Sequence, residues 1–116
     1  PHTPETEGLF DAVAFSTMKE SSLLITVGRG QTVQTDALVD ALNEGSIGGA
    51  GLDVVDPEPL PADHPLWSCP NAIITPHMAG NAPERARRNQ ELVLENLRRY
   101  VAGQPLLSTV DKTLGY

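Results

Sequence analysis

The hydrophobic positions of this chain fall into short runs separated by turn-forming residues, and their spacing changes from run to run. Ala12-Val13-Ala14-Phe15 follows Phe10-Asp11, an order in which Asp11 caps a short helix and Phe10 and Phe15 staple its entry. That helix is expected to end near Lys19. Leu23-Leu24-Ile25-Thr26-Val27 is a continuous apolar run stopped by Gly28-Arg29-Gly30. A run of that length, bounded by glycine, predicts a strand buried on both faces, as in parallel sheets. The period then becomes helical: Leu38, Val39 and Leu42 share one stripe of a helix capped by Thr35 and stopped by Gly45. Gly49-Ala50-Gly51-Leu52-Asp53-Val54-Val55 predicts a second strand, its small residues allowing close approach by a helix or ligand. Ala72-Ile73-Ile74-Thr75 predicts a third, halted by Pro76. Asn81-Ala82-Pro83-Glu84 reads as a helix start, with Asn81 as cap, Pro83 in the first turn and Glu84 reaching back. This last helix is expected to run to about Ala102 with Ala86, Val93, Leu97 and Val101 on one face.

The order is helix, strand, helix, strand, long loop, strand, long helix. Alternation of that kind predicts an α/β fold with a parallel sheet and right-handed crossovers. Six of the ten prolines lie between Pro57 and Pro76, so the segment from Pro57 to Pro70 is neither helix nor central strand. Long stiff loops inside compact domains are usually functional. In open parallel sheets ligands bind beyond the carboxyl ends of the strands. That rule selects Gly28-Arg29-Gly30, the stretch from Asp53 to Glu58, and Pro76-His77.

Composition narrows the class. The 116 residues suit one ordinary domain, and Leu, Ile, Val and Phe make up a quarter of them, enough for a core. No apolar run reaches the ~18 residues of a membrane span, and no basic-then-apolar segment opens the chain. The single cysteine excludes a disulfide framework and, with three histidines, leaves little for a thiolate metal site. A net charge of −7 argues against a nucleic-acid surface. A soluble protein of a reducing compartment is expected.

Each strand exit carries an ionisable group. Arg29, between two glycines, offers a rigid fork of donors suited to a carboxylate; on position alone it reads equally as a surface arginine in a tight turn. His77 precedes Met78-Ala79-Gly80 and can exchange a proton near neutrality, or serve simply as a loop histidine. Glu58 stands between Pro57 and Pro59. A carboxylate meeting one ring nitrogen of His77 would fix the tautomer and support the protonated ring. Arginine, glutamate and histidine together suit acid–base work on a carbonyl beside a carboxylate. His64 reads as structural, Trp67 as loop packing that can border a substrate pocket, and Cys69 as an inert thiol. The last helix holds Arg85, Arg87, Arg88, Arg98 and Arg99. The spacings Glu84 to Arg88 and Glu95 to Arg99 predict a solvated, ion-paired face in place of a nucleic-acid contact.

Taken in order, these motifs resemble the C-terminal portion of the NAD(P)-dependent D-2-hydroxyacid dehydrogenase family, in its glyoxylate and hydroxypyruvate reductase-like form. The match runs from Thr3-Pro4-Glu5-Thr6-Glu7-Gly8-Leu9 through Ile25-Thr26-Val27-Gly28-Arg29-Gly30 and Gly51-Leu52-Asp53-Val54. It continues through Glu58-Pro59-Leu60-Pro61 and Pro65-Leu66-Trp67 to Thr75-Pro76-His77-Met78-Ala79-Gly80. The resemblance implies the second half of a Rossmann-type dinucleotide domain and a long C-terminal helix leading back toward a substrate domain. Residues 1–102 would then be dinucleotide domain and 103–116 a tail belonging with the substrate-domain side. It implies that His77 is the general acid and base, Glu58 its partner, and Arg29 the grip on the substrate carboxylate. Asp53 would meet the carboxamide of NAD or NADP. Pro1, Thr6, Val27, Gly28, Ala79 and Gly80 would line the cofactor, with Arg29 and His77 touching both cofactor and substrate. Glutamate at position 58 favours keto-acid reduction, since the formate dehydrogenase branch carries glutamine there.

The family's Gly-x-Gly-x-x-Gly turn is absent from these residues, as is the residue that selects NAD over NADP. The chain is therefore expected to be a fragment, with negligible turnover and weak cofactor binding when isolated. The whole protein is expected to be a cytoplasmic oxidoreductase and homodimer acting on a small 2-keto or 2-hydroxy acid, without nucleic-acid or membrane partners. A dinucleotide-sensing, corepressor-like binding protein of the same family is the alternative.

Overall fold

The three apolar runs do form strands, and they pair side by side. The computed structural model describes residues 1–116, which divide into two compact units, Pro1–Ala79 and Gly80–Tyr116. In the first unit, α1 (Ala12–Thr17), β1 (Leu23–Thr26), α2 (Thr35–Glu44), β2 (Gly49–Leu52) and β3 (Ala72–Ile74) follow one another. Two short 3-10 turns, Gly30–Thr32 and Pro65–Ser68, interrupt the connections. The sheet is parallel throughout, in the order β1-β2-β3, with Leu24 opposite Ala50 and Leu52 opposite Ile74.

Side chains alternate across a pleated sheet. Leu24, Ala50 and Leu52 point into a core shared with Phe15, Leu38, Val39, Leu42, Ile47 and Leu66. The opposite face carries Leu23, Ile25 and Ile73, which are 66%, 68% and 70% exposed. The expectation of strands buried on both faces is corrected here. The buried side chains of α1 and α2 all join one core, and no element of this unit covers the other face.

Local chemistry sets most helix ends. Asp11 Oδ1 accepts the Ala14 N–H at 2.8 Å and so caps α1, with Phe10 and Phe15 both packed on the core. Gly45 ends α2 in a left-handed conformation, φ 72°, which lets Ser46 N–H reach the Ala41 carbonyl at 2.9 Å. Thr35 does not cap α2. Gln34 is the cap, and the Thr35 hydroxyl donates instead to the Asp56 carbonyl in the loop beyond β2. The N-terminal segment is tied to the rest of the unit by a parallel bridge between Phe10 and Val33.

The second unit is α3 (Arg85–Val101) and the tail after it. Helix α3 begins later than expected. Glu84 stands at the cap but its side chain makes no capping bond, while Asn81 Oδ1 accepts from the Arg85 guanidinium instead of capping. Glu84 pairs with Arg87, not Arg88; Arg87 also reaches Glu91, and Glu95 pairs with Arg99 as its spacing predicts. Asn96 fixes the tail by exchanging two hydrogen bonds with the backbone of Leu107. Val93, Leu97 and Val101 remain exposed within this unit. No helix of the chain is long and apolar enough to cross a membrane.

Candidate active site

Parallel pairing brings all three strand exits to one edge of the sheet. At the end of β1, Arg29 is exposed and donates from Nη1 to the carbonyl of Gly28 at 2.8 Å. The next residue, Gly30, is buried against the chain leaving β2. A Cβ there would lie 1.9 Å from the Val55 carbonyl oxygen, so only glycine permits this approach. Gln31 Nε2 adds a bond to Asp56 Oδ1 at 3.2 Å. The turn carrying Arg29 is thus seated on the loop that leads to Glu58.

The end of β2 supplies Asp53, a buried carboxylate only 6% exposed. Its Oδ1 accepts the Thr75 hydroxyl at 2.6 Å and the Met78 N–H at 2.9 Å, and its Oδ2 accepts the Ala79 N–H at 2.7 Å. The Thr75 bond most of all, then the two backbone bonds, hold the Asp53 carboxyl below the usual carboxylate range, against the opposing effect of burial. Three of the roughly four acceptor sites of a carboxylate are therefore filled from within the chain.

At the end of β3, Thr75 and Pro76 lead to His77, whose φ of 51° is left-handed. That conformation costs a residue with a β-carbon roughly 1–2 kcal/mol, so its surroundings must hold it. Its Nδ1 lies 2.7 Å from Glu58 Oε1. An ionised carboxylate only accepts, so Nδ1–H donates and Nε2 is the ring nitrogen left for other chemistry. The two side chains are 45% and 39% exposed, which leaves the pair little weight in stability and much in orienting the ring. Beside them lies a cavity of about 290 Å³, lined by Asp53, Glu58, Leu60, Trp67, Ile74 and His77 among others.

The sequence-predicted residues therefore separate. Glu58 and His77 meet, and Asp53 anchors the loop that carries His77. Arg29 stands at the same sheet edge but bonds to neither member of the pair and does not line their cavity. Thr6 donates its hydroxyl to the Pro1 carbonyl at 2.9 Å, and Val27 and Gly28 are exposed, with open space where a Gly28 side chain would begin. Ala79 closes the first unit and Gly80 opens the second. His64 Nδ1 accepts the Leu66 N–H at 3.1 Å and caps the second 3-10 turn, a structural task. Burial pushes the Cys69 thiol up, in keeping with an inert role. Trp67 donates to the Pro61 carbonyl and borders the cavity. Sequence reasoning missed Thr75. The signal was available in the strand pairing, since the residues that follow paired Leu52 and Ile74 are Asp53 and Thr75.

A parallel sheet with helices packed on one face, and a histidine–carboxylate pair at its carboxyl edge, has the architecture of a Rossmann-like nucleotide-fold domain. The chain belongs to the D-isomer specific 2-hydroxyacid dehydrogenase family, whose NAD binding domain model matches residues 1–79. It is 44% identical over 107 residues to the human glyoxylate reductase/hydroxypyruvate reductase, covering 91% of this chain and 32% of that protein. Among solved structures, a D-isomer specific 2-hydroxyacid dehydrogenase from Xanthobacter autotrophicus Py2, in complex with NADPH and MES, superposes with a TM-score of 0.88. It shares 42% identity, over 100% of this chain and 47% of that one. The NADPH-dependent glyoxylate/hydroxypyruvate reductase of Sinorhizobium meliloti, with NADP and sulfate, gives 0.87 at 35% identity, over 100% and 38%. The chain spans about a third of the length of the curated relatives it matches.

Proposed function

We propose that the protein containing this chain reduces a 2-keto acid to the D-2-hydroxy acid with NADH or NADPH, glyoxylate and hydroxypyruvate being the leading substrates. The observation that carries the reading is the 2.7 Å contact between His77 and Glu58 at the carboxyl edge of the sheet. Relatives named glyoxylate and hydroxypyruvate reductases support the substrate class.

The residues present fit the nicotinamide end of the cofactor. Asp53 keeps about one acceptor site for a carboxamide N–H, and the space over Gly28 is open to a flat ring. Backbone groups of Pro1, Val27, Gly28 and Ala79, with the Thr6 hydroxyl, complete that lining. When bound, the nicotinamide supplies the hydride. Protonated His77 donates from Nε2 to the keto oxygen, while Nδ1–H stays on Glu58, so the neutral ring formed is still oriented. In the reverse direction Nε2 takes the hydroxyl proton. Arg29 uses one N–H on Gly28, which leaves the rest of its fork for the substrate carboxylate.

The test is His77→Ala in the full-length gene product, assayed with glyoxylate and hydroxypyruvate. Reduction is expected to fall by roughly 10²–10⁴-fold, with NADPH binding retained by fluorescence titration. Unchanged kcat would remove His77 from the mechanism.

A further inference from the structure

In the function proposed above Asp53 is a cofactor contact, yet most of its bonding is spent inside the chain. Its three donors straddle His77. Thr75 lies two residues before it, and Met78 and Ala79 lie one and two residues after. His77 itself makes no bond to Asp53. Its N–H goes to the Thr75 carbonyl at 3.0 Å, and its ring goes to Glu58. A left-handed residue with a β-carbon persists only where neighbours over-determine it. The half-exposed pair with Glu58 is too weak a restraint for that task, whereas the buried Asp53 carboxylate grips the chain on both sides of the turn.

What fixes Asp53 in turn is Thr75. The register that places Leu52 opposite Ile74 sets the two side chains next to each other, and Thr75 N–H is anchored on the Leu52 carbonyl at 2.9 Å. Threonine is restricted at χ1, so its hydroxyl has few positions open to it, and here it is directed at Asp53 Oδ1. Without that hydroxyl, the carboxylate would keep only the Met78 and Ala79 N–H groups, both after His77, and nothing would tie it to the chain before the turn. We propose that Thr75 is a positioning residue: its hydroxyl locks the Asp53 carboxylate in the orientation that receives Met78 and Ala79, and so sets the turn that delivers His77 to Glu58. The kinetic consequence rests on the proposed function, but the ring geometry does not.

Thr75→Val keeps the shape and removes the hydroxyl, while Thr75→Ser keeps the hydroxyl. Both are made in the full-length gene product and read in two ways. The first readout is the His77 ring by histidine-selective ¹⁵N NMR, assigned with His77→Gln. The second is the division between kcat and KM for glyoxylate. The valine protein is expected to lose the hydrogen-bonded Nδ1–H signal and roughly tenfold to hundredfold in kcat, with KM little changed; serine restores both. If the valine protein does not fold, Thr75→Ala takes its place in the same comparison. A valine or alanine protein that keeps the ring signal, or a serine protein as defective as valine, overturns the proposal. If the unsubstituted protein reduces no 2-keto acid, the functional reading falls while the ring signal still decides the role of Thr75.

Discussion

Replacing Gly30 by alanine inserts one methyl group where the chain has no room for it. The new carbon would lie 1.9 Å from the Val55 carbonyl oxygen, 2.1 Å from its carbon and 2.8 Å from the Asp56 nitrogen, all backbone atoms. Ordinary contact begins near 3.4 Å, so the two segments must part by about 1.5 Å. Against this, Gly30 lies in a 3-10 turn without positive φ, where alanine by itself stabilises by about 0.4–1 kcal/mol through the unfolded chain. Overpacking costs about 1–3 kcal/mol, and a clash with backbone has no rotamer escape, which places it at the upper end. The net expectation is a loss of about 2 kcal/mol. The displacement also has a direction, since Gly30 follows Arg29 and Val55-Asp56 lead to Glu58. Parting them moves the arginine away from the His77–Glu58 pair, and an error of about 1 Å at a catalytic site can cost ~10²-fold. In the full-length gene product, urea denaturation should show a lower midpoint at unchanged slope, and under the function proposed above kcat/KM for glyoxylate should fall by roughly a hundredfold. Gly28→Ala is the control for stability, because a Cβ there meets nothing within 4 Å. A Gly30→Ala protein as stable and active as the parent would refute the steric argument and the coupling it implies.

Two further outcomes follow from the core and from Asp53. Hydrogen bonds from Thr75, Met78 and Ala79 depress the Asp53 carboxyl, and a depressed carboxylate contributes stability above its unfolded pKa that is lost as pH falls through its folded value. The stability difference between the parent and Asp53→Asn should therefore be constant from neutrality to about pH 5 and shrink below about pH 4; a gap that stays constant down to acid unfolding would count against this. Leu38, 1% exposed on the inner face of α2, should lose about 2–5 kcal/mol on truncation to alanine in urea unfolding; a loss under ~1 kcal/mol would mean the core collapses around it.

The residues that bear chemistry could be read from the sequence because their identity and their place after each apolar run are local facts. Their partners could not, because each is set by a neighbour distant along the chain. The Thr35 hydroxyl has the right position for a cap, yet the Asp56 carbonyl, 21 residues on, takes it. The strand beginning at Leu23 has the apolar run of a strand covered twice, but coverage depends on which helices pack against it. Asp53 read as a cofactor contact, and its three internal donors become visible only once β2 and β3 are aligned. That alignment bears directly on the site. A slip of one residue between β2 and β3 would turn every side chain of the slipped strand to the other face. Thr75 would then leave Asp53, and Leu52 would lose its place opposite Ile74. The hydrophobic pattern that fixes the core register therefore also fixes the hydrogen bonds behind His77. The candidate acid–base pair inherits its geometry from the packing of Leu24, Ala50 and Leu52 on one side of the sheet.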